Sequence, residues 1–172
     1  IEALHGKAAQ IIVSELGLNE FSVSKPSPKQ FIEFGSGTGL ITMVVAPLCS
    51  KLFALDVSVE MSKELEKKII QRGFDKTRIA IVCGDISESA VSSSVPATLD
   101  GAFAVMAMHH VKDVPKAIGS VVSRVRSGAK VVIIDFEKSG HSEKFHPVKA
   151  HASVAHHGFS PEQFVEAMKA SG

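Results

Sequence analysis

The chain contains no tryptophan and no tyrosine, and its 6% aromatic content consists of 10 phenylalanines. Without indole or phenol rings it lacks the usual platforms for stacking bases and the aromatic belts of membrane interfaces. An excess of either charge is also missing. The 19 Lys and Arg stand against 18 Asp and Glu, a formal charge of +1 over 172 residues, so no extended field awaits a polyanion. No apolar run is long enough to predict a span, and the first residues carry neither the basic start nor the apolar core of a signal peptide. Cysteine is scarce: Cys49 and Cys83 lie in apolar stretches without metal or redox spacing, which points to reduced thiols in a cytoplasmic setting. Nucleic acid and membrane therefore leave the set of expected partners.

What is present is the mixture of a globular protein, 45% apolar and 22% charged, in a length that fits one domain over residues 1–172. Short apolar runs alternate with helical patterns. Strands are predicted at Gln30–Phe34, Lys51–Leu55, Arg78–Cys83, Gly101–Met106 and Lys130–Ile134, each ending in a polar or glycine-rich turn. Such runs lack strict alternation, as strands buried on both faces do. Pro26–Pro28 reads as a surface entry to the first strand. A helix is predicted over Ala3–Leu16, with Leu4, Ala8, Ile11, Ile12 and Leu16 on its apolar face. Another places Met61, Leu65 and Ile69 on one face. A third carries Ile118, Val121, Val122 and Val125 and stops at Ser127-Gly128. The last is capped by Ser160, with Pro161 at its first position, Gln163 completing a capping box, and Phe159 stapled to Phe164. Repeated strand–helix–strand units predict a doubly wound, Rossmann-like α/β fold, a mostly parallel sheet flanked by helices.

The densest signal is Glu33-Phe34-Gly35-Ser36-Gly37-Thr38-Gly39-Leu40, where the first strand turns into a helix. Glycines let backbone approach a ligand, and a helix start offers unpaired N–H groups. A Walker phosphate loop would need a Gly-Lys-Ser/Thr ending, and no lysine is present. The dinucleotide fingerprint needs a small residue three positions after its second glycine, where Leu40 or Thr42 stands instead. Glu33 would repel a pyrophosphate and suits a cationic ligand, such as one bearing an ammonium and a sulfonium. Asp56 ends the second strand 21 positions after Gly35, close to the interval at which an acid meets ribose hydroxyls. Gly84-Asp85-Ile86 ends the third, where an acid can accept from an adenine amino group and Ile86 can cover the ring.

With these three strand ends, the chain resembles the class I S-adenosylmethionine-dependent methyltransferases. The resemblance extends to Leu99-Asp100, Met108-His109-His110-Val111, Val125–Lys130 and His157-Gly158-Phe159-Ser160. It implies S-adenosylmethionine as cofactor, with Glu33, Gly35, Ser36, Gly37 and Gly39 around its methionine portion. Asp56 then takes the ribose and Asp85 the adenine, and Val57, Met61, Gly84, Ile86, Val105 and Met106 complete the cofactor set. Ser36 stands where the family commonly has cysteine. The family sheet continues into an antiparallel hairpin; nothing follows Gly172, so a C-terminally incomplete domain is expected, with Lys130–Ile134 an open edge.

Five of the eight histidines fall in 141–157. Their spacing matches no standard ligand pattern, so this stretch is read as a lid over an acceptor pocket and not as a metal site. The reaction implied is displacement at the methyl group by a small-molecule acceptor. If a base is required it is His110 or a loop histidine. Two other readings stand beside this one: a protein that binds S-adenosylmethionine without transferring its methyl, and, further off, a nicotinamide-dependent oxidoreductase.

Overall fold

A computed structural model describes residues 2–138 and 154–171. It contains five strands, β1 (Ser27–Phe34), β2 (Cys49–Asp56), β3 (Ile79–Cys83), β4 (Leu99–Val105) and β5 (Val125–Ile134), in the sheet order β3-β2-β1-β4-β5. All four pairings are parallel. Six α-helices accompany them: α1 (Glu2–Glu15), α2 (Thr42–Val45), α3 (Val59–Gln71), α4 (Ser89–Ser93), α5 (Val114–Val122) and α6 (Pro161–Ala170). The chain builds β1, β2 and β3 outward, then crosses to place β4 on the other side of β1. That reversal opens a crevice at the C-terminal ends of β1 and β4, the place where open α/β sheets receive their ligands.

The strands are apolar in consecutive positions because both faces are covered. Phe31, Leu52, Ala54 and Phe103 pack on one face with Ala8 and Ile12 of α1, Leu16 just beyond it, and Leu65 and Ile69 of α3. Their neighbours Ile32, Phe53, Leu55 and Ala102 turn to the other, where Val121 of α5 meets them. Ala104 and Ile118 share a third cluster with Phe159, against which Phe164 of α6 packs. The capping box of α6 forms as predicted: the Gln163 N–H donates to Ser160 Oγ, and the Ser160 N–H donates to Gln163 Oε1. Phe159 and Phe164 make the staple with ring centroids 4.4 Å apart.

Three local expectations are corrected. The helix expected to reach Val125 ends at Val122, and Val125 opens β5 opposite Leu99. Val125 pairs there because a β-branched residue takes an available strand partner, and Ser127-Gly128 lies inside the strand where the register slips, Arg126 to Ala129 standing opposite Asp100 between the Leu99–Val125 and Gly101–Lys130 pairs. Pro28 is exposed at the start of β1, as a surface entry should be, while Ser27 beside it is buried and the Ser50 hydroxyl donates to the Pro28 carbonyl. On α1, Leu4 and Ile11 are exposed and Ala9 is buried, so the apolar stripe is narrower than expected. Met61 likewise lies outside the core that holds Leu65 and Ile69.

β5 forms one edge of the sheet. A groove of about 510 Å³ runs along it, lined by Glu15, Lys130 to Ile133, Phe164 and Met168. No described helix is long and apolar enough to cross a membrane.

Candidate functional site

The glycine loop leaves β1 at the crevice, but its three glycines are present for different reasons. Gly35 has φ +72°, and a Cβ there would sit 2.3 Å from the Ala107 Cβ at the end of β4. Close approach of two strand ends therefore demands it. Gly39 lies against Leu65 of α3 in the same way. Gly37 alone, at φ +52°, has nothing within 4 Å of where a Cβ would be. It is the loop position whose missing side chain faces open space. Packing therefore accounts for Gly35 and Gly39 by itself, and Gly37 is the glycine of the three that packing leaves unexplained.

The loop's N–H groups are largely taken. Those of Gly35 and Ser36 donate to the Leu55 carbonyl, that of Gly37 to Asp56 Oδ2 at 2.7 Å, and that of Gly39 to the Ser36 carbonyl. Helix α2 is a single turn, and its Met43 N–H already bonds the Gly39 carbonyl. The unpaired donors expected from a helix start are thus mostly consumed, so the loop is poorly equipped to cradle a phosphate. Ser36 Oγ is buried and has no hydrogen-bond partner among the described residues, an unfilled polar position inside the loop.

Two carboxyl groups lie under and beside it. Glu33 is 2% exposed, and Thr42 Oγ1 donates to its Oε2. Burial pushes its carboxyl up to about 8, against the pull of the Thr42 hydrogen bond and with help from the Asp56 charge. Near neutral pH, Glu33 is therefore largely protonated until a cation approaches. Asp56 spends one oxygen on the Gly37 N–H and the other on the Ser58 N–H at the start of α3. Two such bonds leave acceptor capacity for a pair of hydroxyls. Beside it, Val57 is 70% exposed and Met61 is exposed as well, apolar surface at the mouth of the crevice.

The third strand end is more local. Asp85 is exposed, and its Oδ1 accepts the Ser87 N–H in a tight turn. Ile86 is buried in the α5-side core, so its side chain does not lie open to cover a ring. At Gly84 a Cβ would meet Val91 of α4. Val105 is in the core, while Met106 just beyond it has φ +55°, the one described non-glycine residue with positive φ. A strained residue at the end of β4 marks the crevice.

Met106 leads into a short 3-10 turn, Met108–His110. Its neighbouring histidines differ. His110 is exposed. His109 is buried, with Nδ1 2.7 Å from Oδ1 of Asp135, a carboxylate whose side chain is 0% exposed. The local sequence points to His110, not to this pair. The two residues are 26 apart and meet because β4 and β5 run in register, Val105 beside Ile134. An acid directly after a buried strand, paired with a histidine after its neighbour, was the available signal. Of the expected lid over 141–157, residues 141–153 lie outside the described residues, and residues 154–157 return beside this pair.

A parallel sheet reversing at β1/β4, with acids at successive strand ends, defines a Rossmann-like domain for a nucleoside-bearing cofactor. Comparison with known proteins makes this specific. Residues 32–133, more than half of the chain, match the family model described as Methyltransferase domain. The chain belongs to that family, and S-adenosylmethionine is the cofactor that membership implies. It is 26% identical over 151 residues to an uncharacterised methyltransferase of Schizosaccharomyces pombe, covering 84% of this chain and 53% of that protein. The chain spans about half the length of the curated relatives it matches. A methyltransferase of Aquifex aeolicus shares the fold with TM-score 0.71 at 16% identity, over 100% of this chain and 88% of that one. The [4+2]-cyclase SpnF shares it with TM-score 0.72 at 16% identity, over 96% and 57%.

The residues present fit the implied cofactor. Ser36 Oγ is buried without a partner, the Gly37 face is open, and an acid stands ready at each side.

Proposed function

We propose that this domain binds S-adenosylmethionine in the β1/β4 crevice and transfers its methyl group to a small-molecule acceptor. One observation carries the reading: Asp56 grips the Gly37 N–H at the loop position with an open face. A carboxylate with spare acceptor capacity then sits beside space free for ligand. Asp56 would hold the ribose hydroxyls. Glu33 under Gly35 and Ser36 would answer the positive charge. Gly84, Asp85, Val57 and Met61 would border the adenine, and Val105 and Met106 the end nearest β4. When bound, the cofactor supplies a methyl group on a sulfonium, whose loss leaves a neutral thioether.

The chain's own contribution is alignment and exclusion of water. His110, exposed beyond Met106, is the group proposed to take a proton from an acceptor that must lose one. A small acceptor is favoured because the charge is nearly balanced and stacking rings are few. A cytoplasmic setting accords with two free thiols, Cys49 and Cys83.

Calorimetric titration with S-adenosylhomocysteine tests binding, and methyl transfer from labelled cofactor across hydroxyl, amine, thiol and carbon acceptors tests turnover. Binding with transfer to one acceptor class is expected. Binding without transfer to any would favour a cofactor-binding protein that does other chemistry, as the fold shared with a [4+2]-cyclase illustrates. No binding would overturn the reading.

A further inference from the structure

His109 ties two other pieces of chain together through its ring, its backbone N–H and its carbonyl. Its ring Nδ1 faces Asp135 Oδ1, and its backbone N–H donates to Asp135 Oδ2 at 3.2 Å. Its carbonyl accepts from both the Ala155 N–H, at 2.8 Å, and the His156 N–H, at 2.9 Å. Asp135 Oδ1 also receives the Phe136 N–H at 2.8 Å. Backbone N–H groups can only donate, so both carboxylate oxygens act as acceptors and Nδ1 is the ring nitrogen that carries the proton. One buried pair thus joins the end of β4, the end of β5 and the strand of chain that returns before α6.

Two exposed or half-exposed groups depend on that junction. The His110 ring packs on the His109 ring with centroids 4.1 Å apart. Residues 154–159 are laid beside β5's extension: the Phe159 N–H donates to the Phe136 carbonyl, and the Lys138 N–H to the Phe159 carbonyl. The His156 ring rests on Phe159, 5.1 Å between centroids. His110, His156 and Phe159 therefore hang from His109 and Asp135, next to the strained Met106.

We propose that His109 and Asp135 are positioning residues for methyl transfer, holding His110 and residues 154–159 as one wall of the acceptor pocket. The inference rests on the methyltransferase reading above. It adds what that reading lacks, the device that keeps the acceptor side in place while the cofactor side is built separately from Glu33 and Asp56. A buried carboxylate with three N–H partners tolerates no neutral replacement without turning one donor against an N–H₂ group. Asp135→Asn should loosen the wall and leave the cofactor side alone.

The test uses the full chain. In Asp135→Asn, amide hydrogen exchange at Ala155 and His156 is expected to quicken about tenfold or more, with S-adenosylhomocysteine affinity within about threefold of the parent. Turnover of the acceptor found in the panel should fall about tenfold or more through KM, kcat falling less. Ala155→Pro, which removes one donor to the His109 carbonyl without touching the pair, should reproduce the KM effect in weaker form. In the unaltered protein, nitrogen-15 ring shifts should place the His109 proton on Nδ1.

Exchange and KM unchanged in both variants, or the proton on Nε2, would overturn the proposal. So would cofactor affinity falling in step with turnover, the sign of a merely structural pair. If Asp135→Asn fails to fold, Ala155→Pro and the ring shifts decide. Absence of S-adenosylhomocysteine binding in the parent would instead sink the methyltransferase reading, while the exchange and ring measurements would still report on the pair.

Discussion

The β1–β2 side and the β4–β5 side of the crevice are made of the same parts and end in different states. On each, a carboxylate at a strand end gathers backbone N–H groups from a neighbouring loop. Asp56 takes two, from Gly37 and Ser58, and is only partly buried. Asp135 takes two backbone N–H groups and a histidine ring, and its side chain is wholly buried. The first acid keeps acceptor sites for something that arrives; the second has spent its own on the protein. Similar chemistry thus leaves a group open to a ligand where water still reaches it, and makes a girder where water is displaced on folding.

The sharpest way to break this comparison is within the glycine loop. Gly35→Ala should destabilise the fold by about 3 kcal/mol, since it adds a left-handed φ for alanine to a collision with Ala107 at two strand ends. Denaturant unfolding reads it. Gly37→Val has no such neighbour, so the fold should lose only about 1–2 kcal/mol from backbone strain while S-adenosylhomocysteine binding disappears. Retained binding in Gly37→Val would mean that ligand does not meet the loop there.

Asp56→Ala is next in size. Loss of a charged acceptor for two hydroxyls should weaken S-adenosylhomocysteine by about 1–3 kcal/mol in calorimetry. An unchanged affinity would remove the ribose assignment and with it the contrast with Asp135.

The smallest effect concerns Glu33, whose carboxyl is raised from 4.5 to about 8 by burial. Below about 8, a cation that needs the ionised form must displace a proton, so affinity should rise with pH by up to roughly tenfold per unit, then level off. Folding has the opposite sign. The folded state holds this proton more tightly than the unfolded chain, so the associated stability is complete below 4.5 and is lost as pH climbs through about 8. Glu33→Gln should flatten both profiles, checked by calorimetry and by melting between pH 6 and 9. A slope that survives the substitution would assign the linkage to another group.

Much of this architecture could be read from local pattern. The strand runs, the α6 capping box and the spacing of Gly35 to Asp56 all reflect interactions within a few residues or the period of a buried strand. The misreadings share a cause. The spacing of Val125 continues that of Ile118 and Val121 and so reads as helix, yet β4 offers it a partner. Leu4 and Ile11 read as core residues because helical periodicity does not say how wide a neighbour is, and the structure leaves both exposed. The His109–Asp135 pair escaped notice because it exists only once β4 and β5 are in register.

By itself, the sequence determined the fold class, the reversal-point loop and the acids at three strand ends, since strand burial and turn chemistry are short-range. Tertiary structure alone decided which glycine faces space, whether Glu33 carries its charge, and which histidine is held by an acid. Each of those depends on what another strand or helix places within a few ångströms, and desolvation, steric contact and hydrogen bonding all act at that range.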